Sequence, residues 1–295
     1  MIGPTASGKS AVALAAARRL GDVELVSVDS MQVYRGMDIG TAKPSAAERA
    51  EIPHHLLDLV EPSHDFTVAE FQQACRTVID DIGRRGRRAV LVGGTGLYHR
   101  VVIDDFELPG EWPDIRAELT AEPDTVVLHR RLCALDPAAA EKMEPSNRRR
   151  VVRALEVTVG SGRPFSSFGP GVDAYPPTPV TQIGLRWPRD VLARRIERRV
   201  AEMMAEGLVA EVERIERDTG FSRTAAQALG YRETLAMLRG QMSEDETIAT
   251  IVTHTRQFAV RQERWFRRDP RVRWVDVDDD PVACALPVVI DALEQ

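Results

Sequence analysis

Cysteine is scarce in this sequence of 295 residues, and long hydrophobic runs are missing. The three cysteines, Cys75, Cys133 and Cys284, are scattered and form no C-x-x-C pair, which argues against disulfides and against a structural zinc site. No apolar stretch approaches the roughly 20 residues that a membrane-spanning helix needs, and no signal peptide precedes the first motif. We therefore expect a cytoplasmic protein that has no membrane partner.

A surplus of positive charge is also lacking. The formal net charge is −6 at pH 7, which argues against non-specific binding to nucleic acid but leaves a specific RNA ligand open. Basic residues nevertheless cluster, chiefly as arginine, in the segments 84–88, 148–153, 194–199 and 261–268. A local basic surface on an acidic protein is compatible with this pattern.

A phosphate-binding motif stands close to the beginning of the sequence. Residues 3–10 (GPTASGKS) match the P-loop pattern G-x-x-x-x-G-K-[ST] at every defined position. In such a loop the backbone N–H groups face a polyphosphate, Lys9 reaches its terminal oxygens, and the hydroxyl of Ser10 is a ligand of Mg²⁺. The residues that we expect to form this site are Gly3, Thr5, Ala6, Ser7, Gly8, Lys9 and Ser10.

The surroundings of the motif suit a P-loop on one side. Apolar residues between Ala11 and Leu20 predict a helix that ends at Gly21. On the other side only Met1 and Ile2 precede the loop, so the first strand is very short or the sequence starts late.

Short apolar runs alternate with helical segments along much of the chain. Strands are expected at 24–28, 56–60, 88–92, 181–185 and 272–275, and helices near 67–83, 189–206 and 244–268. This alternation predicts an α/β fold with a parallel sheet, in which ligands bind at the carboxyl ends of the strands. The P-loop, Asp29 and Thr95 all fall at such ends.

The middle of the chain has a different pattern. The only strand candidate is 125–128, and helices are expected to begin near Asp114, Asp136 and Ser146. We therefore expect a helical insertion domain, residues 111–176, within an α/β core formed by residues 1–110 and 177–295. An insertion beside a phosphate site often grips a substrate or closes over it.

Two predicted helices carry arginines in suggestive positions. Arg195 and Arg199 are four residues apart, so both can point to one side, although a solvated surface pair is the simpler interpretation. The last long helix begins with a capping box, Ser243 and Glu246. Its arginines alternate with Phe258, Trp265 and Phe266, which is typical of a packed helix with a basic face or of a strip for RNA phosphates.

Several segments in one order along nearly the whole chain carry more specific information. They are the P-loop, 28–44 (VDSMQVYRGMDIGTAKP), 54–58 (HHLLD), 92–98 (VGGTGLY), 153–157 (RALEV), 228–233 (ALGYRE) and 255–268. Together they resemble the tRNA dimethylallyltransferase family (tRNA isopentenyltransferases), and the segment 28–44 is far more specific than the P-loop. The carboxyl end lacks the cysteine and histidine pairs of a zinc finger, which favours the bacterial type.

The resemblance implies a fold and a reaction. The fold would be a P-loop NTPase-like parallel-sheet core with the helical insertion. The enzyme would transfer a dimethylallyl group from dimethylallyl diphosphate to N6 of the adenine immediately 3′ of the anticodon (tRNA position 37), in tRNAs that read codons beginning with U. The P-loop would then bind an isoprenoid diphosphate, with Mg²⁺ as cofactor, and we expect a monomer that grips the anticodon stem-loop with its insertion.

The resemblance also implies roles for individual residues. Asp29 matches the general base, Thr95 lies near the target nucleotide, and Arg199 helps catalysis by binding the diphosphate together with Arg195. Ser10 is the expected metal ligand. The positions expected to bind tRNA are Asp29, Ser30, Met31, Gln32, Thr95, Arg116, Arg149, Arg150, Arg153, Gln227, Gly230, Tyr231 and Arg232.

Three other functions remain as alternatives. A P-loop with a lid also fits a small-molecule kinase, in which Asp29 would bind a metal ion. An isopentenyltransferase acting on free AMP or ADP would share the chemistry, but the arginines at 149–153 and the insertion favour tRNA. A non-catalytic RNA-binding module does not explain an intact P-loop together with Asp29 and Thr95.

Overall fold

The computed structural model describes residues 1–169 and 171–295 of the chain. These residues form two compact units, which we call the core unit (1–103 with 177–295) and the insertion unit (104–176). The sequence had suggested a first boundary at 110, seven residues later, and the same second boundary. None of the helices in the described ranges is long and apolar enough to cross a membrane.

The elements follow one another in chain order from the core unit through the insertion unit and back. The first part of the core unit contains α1 (Lys9–Leu20), β1 (Val23–Val28), α2 (Ala46–Glu51), β2 (His54–His55), α3 (Val68–Arg84), β3 (Arg88–Gly93) and α4 (Gly96–Ile103). The insertion unit contains α5 (Pro113–Ala121), α6 (Thr125–Leu135), α7 (Pro137–Glu141) and α8 (Arg148–Ser161). The second part of the core unit contains β4 (Gln182–Arg186), α9 (Arg189–Glu206), α10 (Leu208–Asp218), α11 (Tyr231–Leu238), α12 (Glu244–Phe266), β5 (Val272–Asp276) and α13 (Pro281–Glu294).

All strand pairs in the described residues are parallel, as the alternation of strands and helices predicted. β1 lies between β2 and β3, and β4 pairs with β5. Ile2 joins the two groups, because it forms parallel bridges to both Gly93 and Gly184. The strand in front of the P-loop is therefore reduced to this one residue, which is almost completely buried.

Two strand predictions were wrong. The run 56–60 follows a two-residue strand, His54–His55, and cannot extend it because Leu56 and Asp58 adopt left-handed backbone conformations, with φ of 62° and 55°. The segment 125–128 belongs to helix α6, whose first turn is capped by Asp124 through a hydrogen bond of 2.8 Å from the Val126 N–H.

Three helix predictions were confirmed, because their apolar residues recur at helical spacing over long segments. The helices expected near 67–83, 189–206 and 244–268 are α3, α9 and α12. Ser243 and Glu246 form the predicted capping box at the start of α12.

The insertion unit has its own apolar core. Helices α5, α6 and α8 contribute Leu119, Leu128, Leu132, Val151 and Leu155, all buried. Beside this core the fully buried carboxylate of Glu156 accepts hydrogen bonds from the Trp112 N–H (2.8 Å) and from Nε of Arg116 (2.9 Å). The unit is thus held by an apolar core and a buried ion pair.

Candidate active site

The P-loop occupies the turn between Ile2 and helix α1. Gly8 caps the helix with φ of 88°, a conformation that favours glycine, and a Cβ there would lie 2.5 Å from Cγ of Pro281. Because α1 begins at Lys9, its first N–H groups have no partner within the helix. This geometry is the usual anion-binding arrangement at a helix N-terminus.

Side chains from helix α12 and from the end of β4 fix the shape of the loop. Gln262 accepts a hydrogen bond from the Thr5 N–H (2.8 Å) and donates one to the Gly94 carbonyl (2.9 Å), so it ties the loop to the end of β3. Trp187 donates from its indole N–H to the Ser7 carbonyl at 2.9 Å. These bonds hold the loop in place from two sides before any ligand binds.

Helix α9 brings two arginines to the same loop, as their spacing allowed. Nε of Arg195 donates to the Ala6 carbonyl (2.9 Å), and its guanidinium lies 4.3 Å from the centre of the Trp187 ring. Arg199 donates to the hydroxyl of Thr5 at 3.2 Å. The interpretation of this pair as surface decoration is therefore wrong, since both side chains contact the P-loop.

The positive charges around the loop are left without ion-pair partners. In the described residues, no carboxylate lies within ion-pairing distance of Lys9, Arg195 or Arg199, and Nζ of Lys9 donates only to the Pro4 carbonyl at 3.3 Å. Burial, with the charge of Arg199, lowers the pKa of Lys9 to about 8, although Asp29 acts in the opposite direction. Burial likewise lowers the pKa of Arg199. A polyanion would relieve this crowding of positive charge.

Asp29 and Thr95 are brought together by the sheet. β1 and β3 pair in register up to Val28 and Gly93, so the residues that follow them lie side by side at the carboxyl edge. The Ser30 N–H donates to the Thr95 hydroxyl (3.2 Å), and the Met31 N–H donates to Oδ1 of Asp29 (2.9 Å). No partner of Oδ2 of Asp29 is found in the described part of the chain. Asp29 therefore caps a turn and still has an oxygen free for chemistry.

These groups open into one cavity of the core unit, with a volume of about 790 Å³. Its polar part includes Lys9, Ser10, Asp29 and Thr95, and its apolar side chains come mainly from α9 and α12: Ile196, Val200, Met203, Ile251 and Phe258. The cavity can therefore hold a molecule with a highly charged end and a short apolar part.

Most of the core-unit residues predicted to bind tRNA also line this cavity. They are Asp29, Ser30, Met31, Gln32, Thr95, Gln227, Gly230 and Arg232. Gln32 is held by hydrogen bonds with Ser27 (2.7 Å) and with the Thr41 carbonyl (3.1 Å). Of the P-loop residues, Gly3 and Ser7 lie behind the cavity surface and are buried.

Tyr231 lies elsewhere, because its side chain is fully buried and does not line the cavity. Its hydroxyl donates to Glu211 at 2.5 Å. Glu211 also accepts hydrogen bonds from the N–H groups of Asp38 (3.0 Å), Ile39 (2.9 Å) and Gly40 (3.3 Å). The phenol of Tyr231 thus helps to hold the loop that leads into the cavity wall at Gly40, and the predicted contact of this residue with tRNA finds no support in the position of its side chain.

The insertion unit holds the remaining residues predicted to bind tRNA. Arg149 and Arg150 are exposed at the start of α8. Arg116 and Arg153 form ion pairs with the buried Glu156, at 2.9 Å and 3.1 Å. A role of these four arginines in RNA binding stays a prediction.

The donor set at the P-loop suits a magnesium ion that is shared with a ligand. Ser10 is exposed to the cavity that Asp29 also lines, and both offer the oxygen donors that Mg²⁺ prefers. The described residues contain no cluster of three or more His, Cys, Asp or Glu side chains that could hold a metal ion by themselves. This fits Mg²⁺, which usually keeps phosphate oxygens and water as further ligands.

Sequence reasoning missed three residues that build the site. Trp187 follows β4 just as Thr95 follows β3, so its position at a strand end was a usable signal. Gln262 lies within the segment 255–268, which was interpreted by its arginines and aromatic residues and not by its glutamines. For Glu211 we find no signal in the sequence alone.

Comparison with known proteins decides the family. The family model described as IPP transferase matches residues 32–269 of this chain, well over half of its length. The chain belongs to the IPP transferase family. The solved structures of the family confirm the predicted α/β core with a parallel sheet as a P-loop NTPase-like fold.

Similar proteins cover nearly the whole chain. A tRNA dimethylallyltransferase of Kineococcus radiotolerans is 46% identical over 98% of this chain and 94% of its own length, and that of Geobacter metallireducens is 48% identical over 93% and 90%. The crystal structure of the full-length tRNA isopentenylpyrophosphate transferase from Bacillus halodurans is similar with a TM-score of 0.73 and 40% identity, covering 99% of this chain and 94% of that one. A eukaryotic dimethylallyltransferase acting on tRNA gives a TM-score of 0.78 with 27% identity, covering 94% and 73%.

Proposed function

We propose that this chain is a tRNA dimethylallyltransferase. It transfers a dimethylallyl group from dimethylallyl diphosphate to N6 of the adenine immediately 3′ of the anticodon, in tRNAs that read codons beginning with U. The observation that carries this proposal is the cavity in which Lys9, Arg199 and Asp29 meet an apolar wall. Relatives of that name, which cover more than nine-tenths of this chain, support it.

The unpaired positive charges suit the leaving group of this reaction. As the allylic C–O bond breaks, the diphosphate takes up the bonding electrons and its negative charge grows. Lys9, Arg195, Arg199 and the N–H groups at the start of α1 stabilise that charge in a cavity that is partly shielded from water. Mg²⁺, bound to Ser10 and to phosphate oxygens, would add Lewis-acid stabilisation of the same leaving group.

Asp29 supplies the base at the other reacting atom. The exocyclic amine of adenine is a poor nucleophile because its lone pair is delocalised into the ring. As the new N–C bond forms at N6, the free oxygen of Asp29 accepts the proton that N6 loses. Thr95, which accepts a hydrogen bond from the Ser30 N–H, keeps the segment 29–32 beside the reacting groups.

The acceptor adenine must leave the stacked anticodon loop to reach this cavity. Gln227, Gly230 and Arg232 line the cavity and are placed to contact the extruded nucleotide or its neighbours. The arginines of the insertion unit, Arg116, Arg149, Arg150 and Arg153, are assigned to the anticodon stem-loop, because single-stranded loops are recognised by shape and by splayed bases.

We also infer that the enzyme works as a monomer in the cytoplasm, where its tRNA substrate is made.

A transfer assay tests the proposal directly. Radiolabelled dimethylallyl diphosphate and Mg²⁺ are incubated with an unmodified tRNA, with an anticodon stem-loop carrying A-A-A at the target site, or with free AMP. We expect label in the tRNA and in the stem-loop but not in AMP. Label in AMP alone would assign the protein to free-nucleotide chemistry, and phosphoryl transfer from ATP without any prenyl transfer would make it a kinase.

A further inference from the structure

A buried carboxylate stands behind one wall of the cavity without lining it. Glu233, in the first turn of α11, is only 2% exposed. Its Oε2 accepts a hydrogen bond from the Gly230 N–H at 2.9 Å and so closes the N-terminus of the helix. This bond uses one of its two oxygens.

The other oxygen joins two side chains from different helices. Oε1 of Glu233 accepts from Nη2 of Arg232 at 2.5 Å and lies 2.7 Å from Nδ1 of His254 on α12. Both Arg232 and His254 line the cavity. Glu233, which does not line the cavity, therefore holds two side chains that do.

The proton at this junction can be assigned. Burial would by itself raise the pKa of Glu233, but hydrogen bonds from His254 and Arg232 hold it below the usual range, so the carboxylate is ionised and only accepts. Nδ1 of His254 must then carry the proton of that hydrogen bond. Nη2 of Arg232 lies 2.8 Å from the same nitrogen. Because both nitrogens then carry hydrogen, it is their shared acceptor, Oε1 of Glu233, that holds the two side chains next to each other. Among the described residues Nε2 of His254 has no partner.

We propose that Glu233 is a positioning residue that fixes Arg232 and His254 as one recognition pair, and that Nε2 of His254 binds the acceptor RNA. The inference rests on the proposed function, because it assigns a contact for the RNA substrate of the same cavity. A ribose 2′-hydroxyl can both donate and accept a hydrogen bond, so it suits this ring nitrogen. Arg232, partly neutralised by Glu233, contributes directed N–H groups to phosphate or base oxygens.

A purely structural role of Glu233 is the competing explanation. Glu233 stands three residues after the N-cap residue of α11, so its loss could simply loosen that helix. Glu246 provides a matched control, because it occupies the same position in α12, accepts the Ser243 N–H at 2.8 Å, and has no partner on the cavity wall among the residues that the structure describes. The variant Glu246→Gln removes a capping carboxylate and leaves Arg232 and His254 untouched.

The experiment compares Glu233→Gln, His254→Ala, their combination and Glu246→Gln with the wild-type chain. Affinity for a fluorescein-labelled anticodon stem-loop is measured by anisotropy, and affinity for inorganic diphosphate by calorimetry. Steady-state assays add KM for the stem-loop and kcat. We expect each of the first two variants to lose about tenfold in RNA affinity, the loss that corresponds to one hydrogen bond of about 1.4 kcal/mol. Affinity for diphosphate should stay within about twofold, and Glu246→Gln should match the wild type in both.

The double variant separates positioning from helix capping. If Glu233 acts through His254, the two losses overlap and the combination binds RNA no more weakly than Glu233→Gln alone. His254→Ala keeps the test informative even if Glu233→Gln folds poorly, since His254 is partly exposed on α12. Wild-type RNA affinity in His254→Ala would overturn the inference while leaving the proposed function intact. A wild-type chain that prenylates no RNA would overturn both.

Discussion

The basic residues of the two units differ in what they are bonded to. In the core unit, the hydrogen bonds of Lys9, Arg195 and Arg199 within the described part of the chain go to uncharged oxygens of the P-loop: the Pro4 carbonyl, the Ala6 carbonyl and the Thr5 hydroxyl. In the insertion unit Arg116 and Arg153 pair with one buried carboxylate, Glu156. The first set has no carboxylate partner among the described residues, and the charge of the second set is partly compensated by Glu156.

This difference separates a binding site from a structural support. Crowded cations that are partly removed from water destabilise a fold, and such an arrangement is typical of a site that a ligand completes. A buried carboxylate surrounded by donors instead holds its unit together, and removing it leaves those donors without their charged partner. Substitution of the cations around the P-loop should therefore cost activity, whereas substitution of Glu156 should cost stability.

The largest expected effect is on the catalytic rate, when Asp29 is replaced. Its carboxylate lines the same cavity as the cations of the core unit. Asp29→Asn keeps an oxygen that can accept the Met31 N–H but removes the base. We expect kcat to fall by about 10²- to 10⁴-fold, the usual contribution of general-base catalysis, with little change in RNA affinity or in thermal stability. Single-turnover transfer of labelled dimethylallyl groups to the stem-loop measures the rate.

Asp124→Asn is the control for this prediction. Asp124 accepts the Val126 N–H at 2.8 Å in the same two-residue geometry, but it lies in the insertion unit and outside the cavity. The control should transfer at the wild-type rate. A loss in Asp29→Asn that is confined to RNA binding would contradict the assignment of Asp29 as the base.

The same contrast shows how far the sequence could go. The P-loop, Asp29 and Thr95 were predictable, because each sits at a strand end within a short motif. Which basic residues have a carboxylate partner was not predictable. Contacts such as those of Arg199 with Thr5 and of Arg153 with Glu156 depend on which residues the fold brings together. Glu156 stands three residues after Arg153 in the sequence, but nothing in the sequence shows that its carboxylate would be fully buried.

The strand error at 56–60 has a related cause. Its five residues are mostly apolar, as in a buried strand, yet the N–H groups of Leu59 and Val60 both donate to the Val33 carbonyl, at 2.7 and 3.1 Å. The apolar side chains are used in a loop that folds back on the segment 28–44. Local pattern cannot reveal which distant carbonyl will take a backbone hydrogen bond.

A smaller effect, on stability and not on diphosphate binding, is expected in the insertion unit. Glu156→Gln keeps an acceptor for the Trp112 N–H but weakens the bonds from Arg116 and Arg153. We expect the insertion unit to lose about 1.5–3 kcal/mol of unfolding free energy, the range for hydrogen bonds to charged groups. Hydrogen exchange of amides in residues 104–176 measures the loss, while diphosphate affinity should not change.

Glu118→Gln tests whether burial matters in this comparison. Glu118 pairs with Arg131 at 3.9 Å, and both side chains are exposed, so its replacement should cost less than about 1 kcal/mol. Equal losses in the two variants would mean that the buried carboxylate is not the support of this unit.

The smallest and sharpest effect is on the pH dependence of ligand binding at Lys9. Burial lowers the pKa of Lys9 from 10.5 to about 8, so the native chain loses this proton before the unfolded chain does. Between these pH values the unfolded state binds more protons, and the contribution of Lys9 to stability therefore rises with pH. The pH dependence of diphosphate affinity has the opposite sign. The affinity falls as the pH rises, because a diphosphate binds the charged amine more tightly than the neutral one.

Calorimetry with inorganic diphosphate between pH 6.5 and 9.5 measures this dependence. Affinity should fall by about tenfold for each pH unit above the pKa of Lys9, beyond any change due to ionisation of the ligand itself. Lys9→Met, titrated in parallel, reports the ligand's own ionisation, so the ratio of the two dissociation constants isolates the lysine. The advantage of the wild type should shrink steadily above pH 8, and a ratio that stays constant up to pH 9.5 would show that Lys9 remains charged throughout. In that case the positive charges around the P-loop would be compensated by more than their bonds to uncharged oxygens indicate. The basic residues of the core unit would then differ less from Arg116 and Arg153 of the insertion unit.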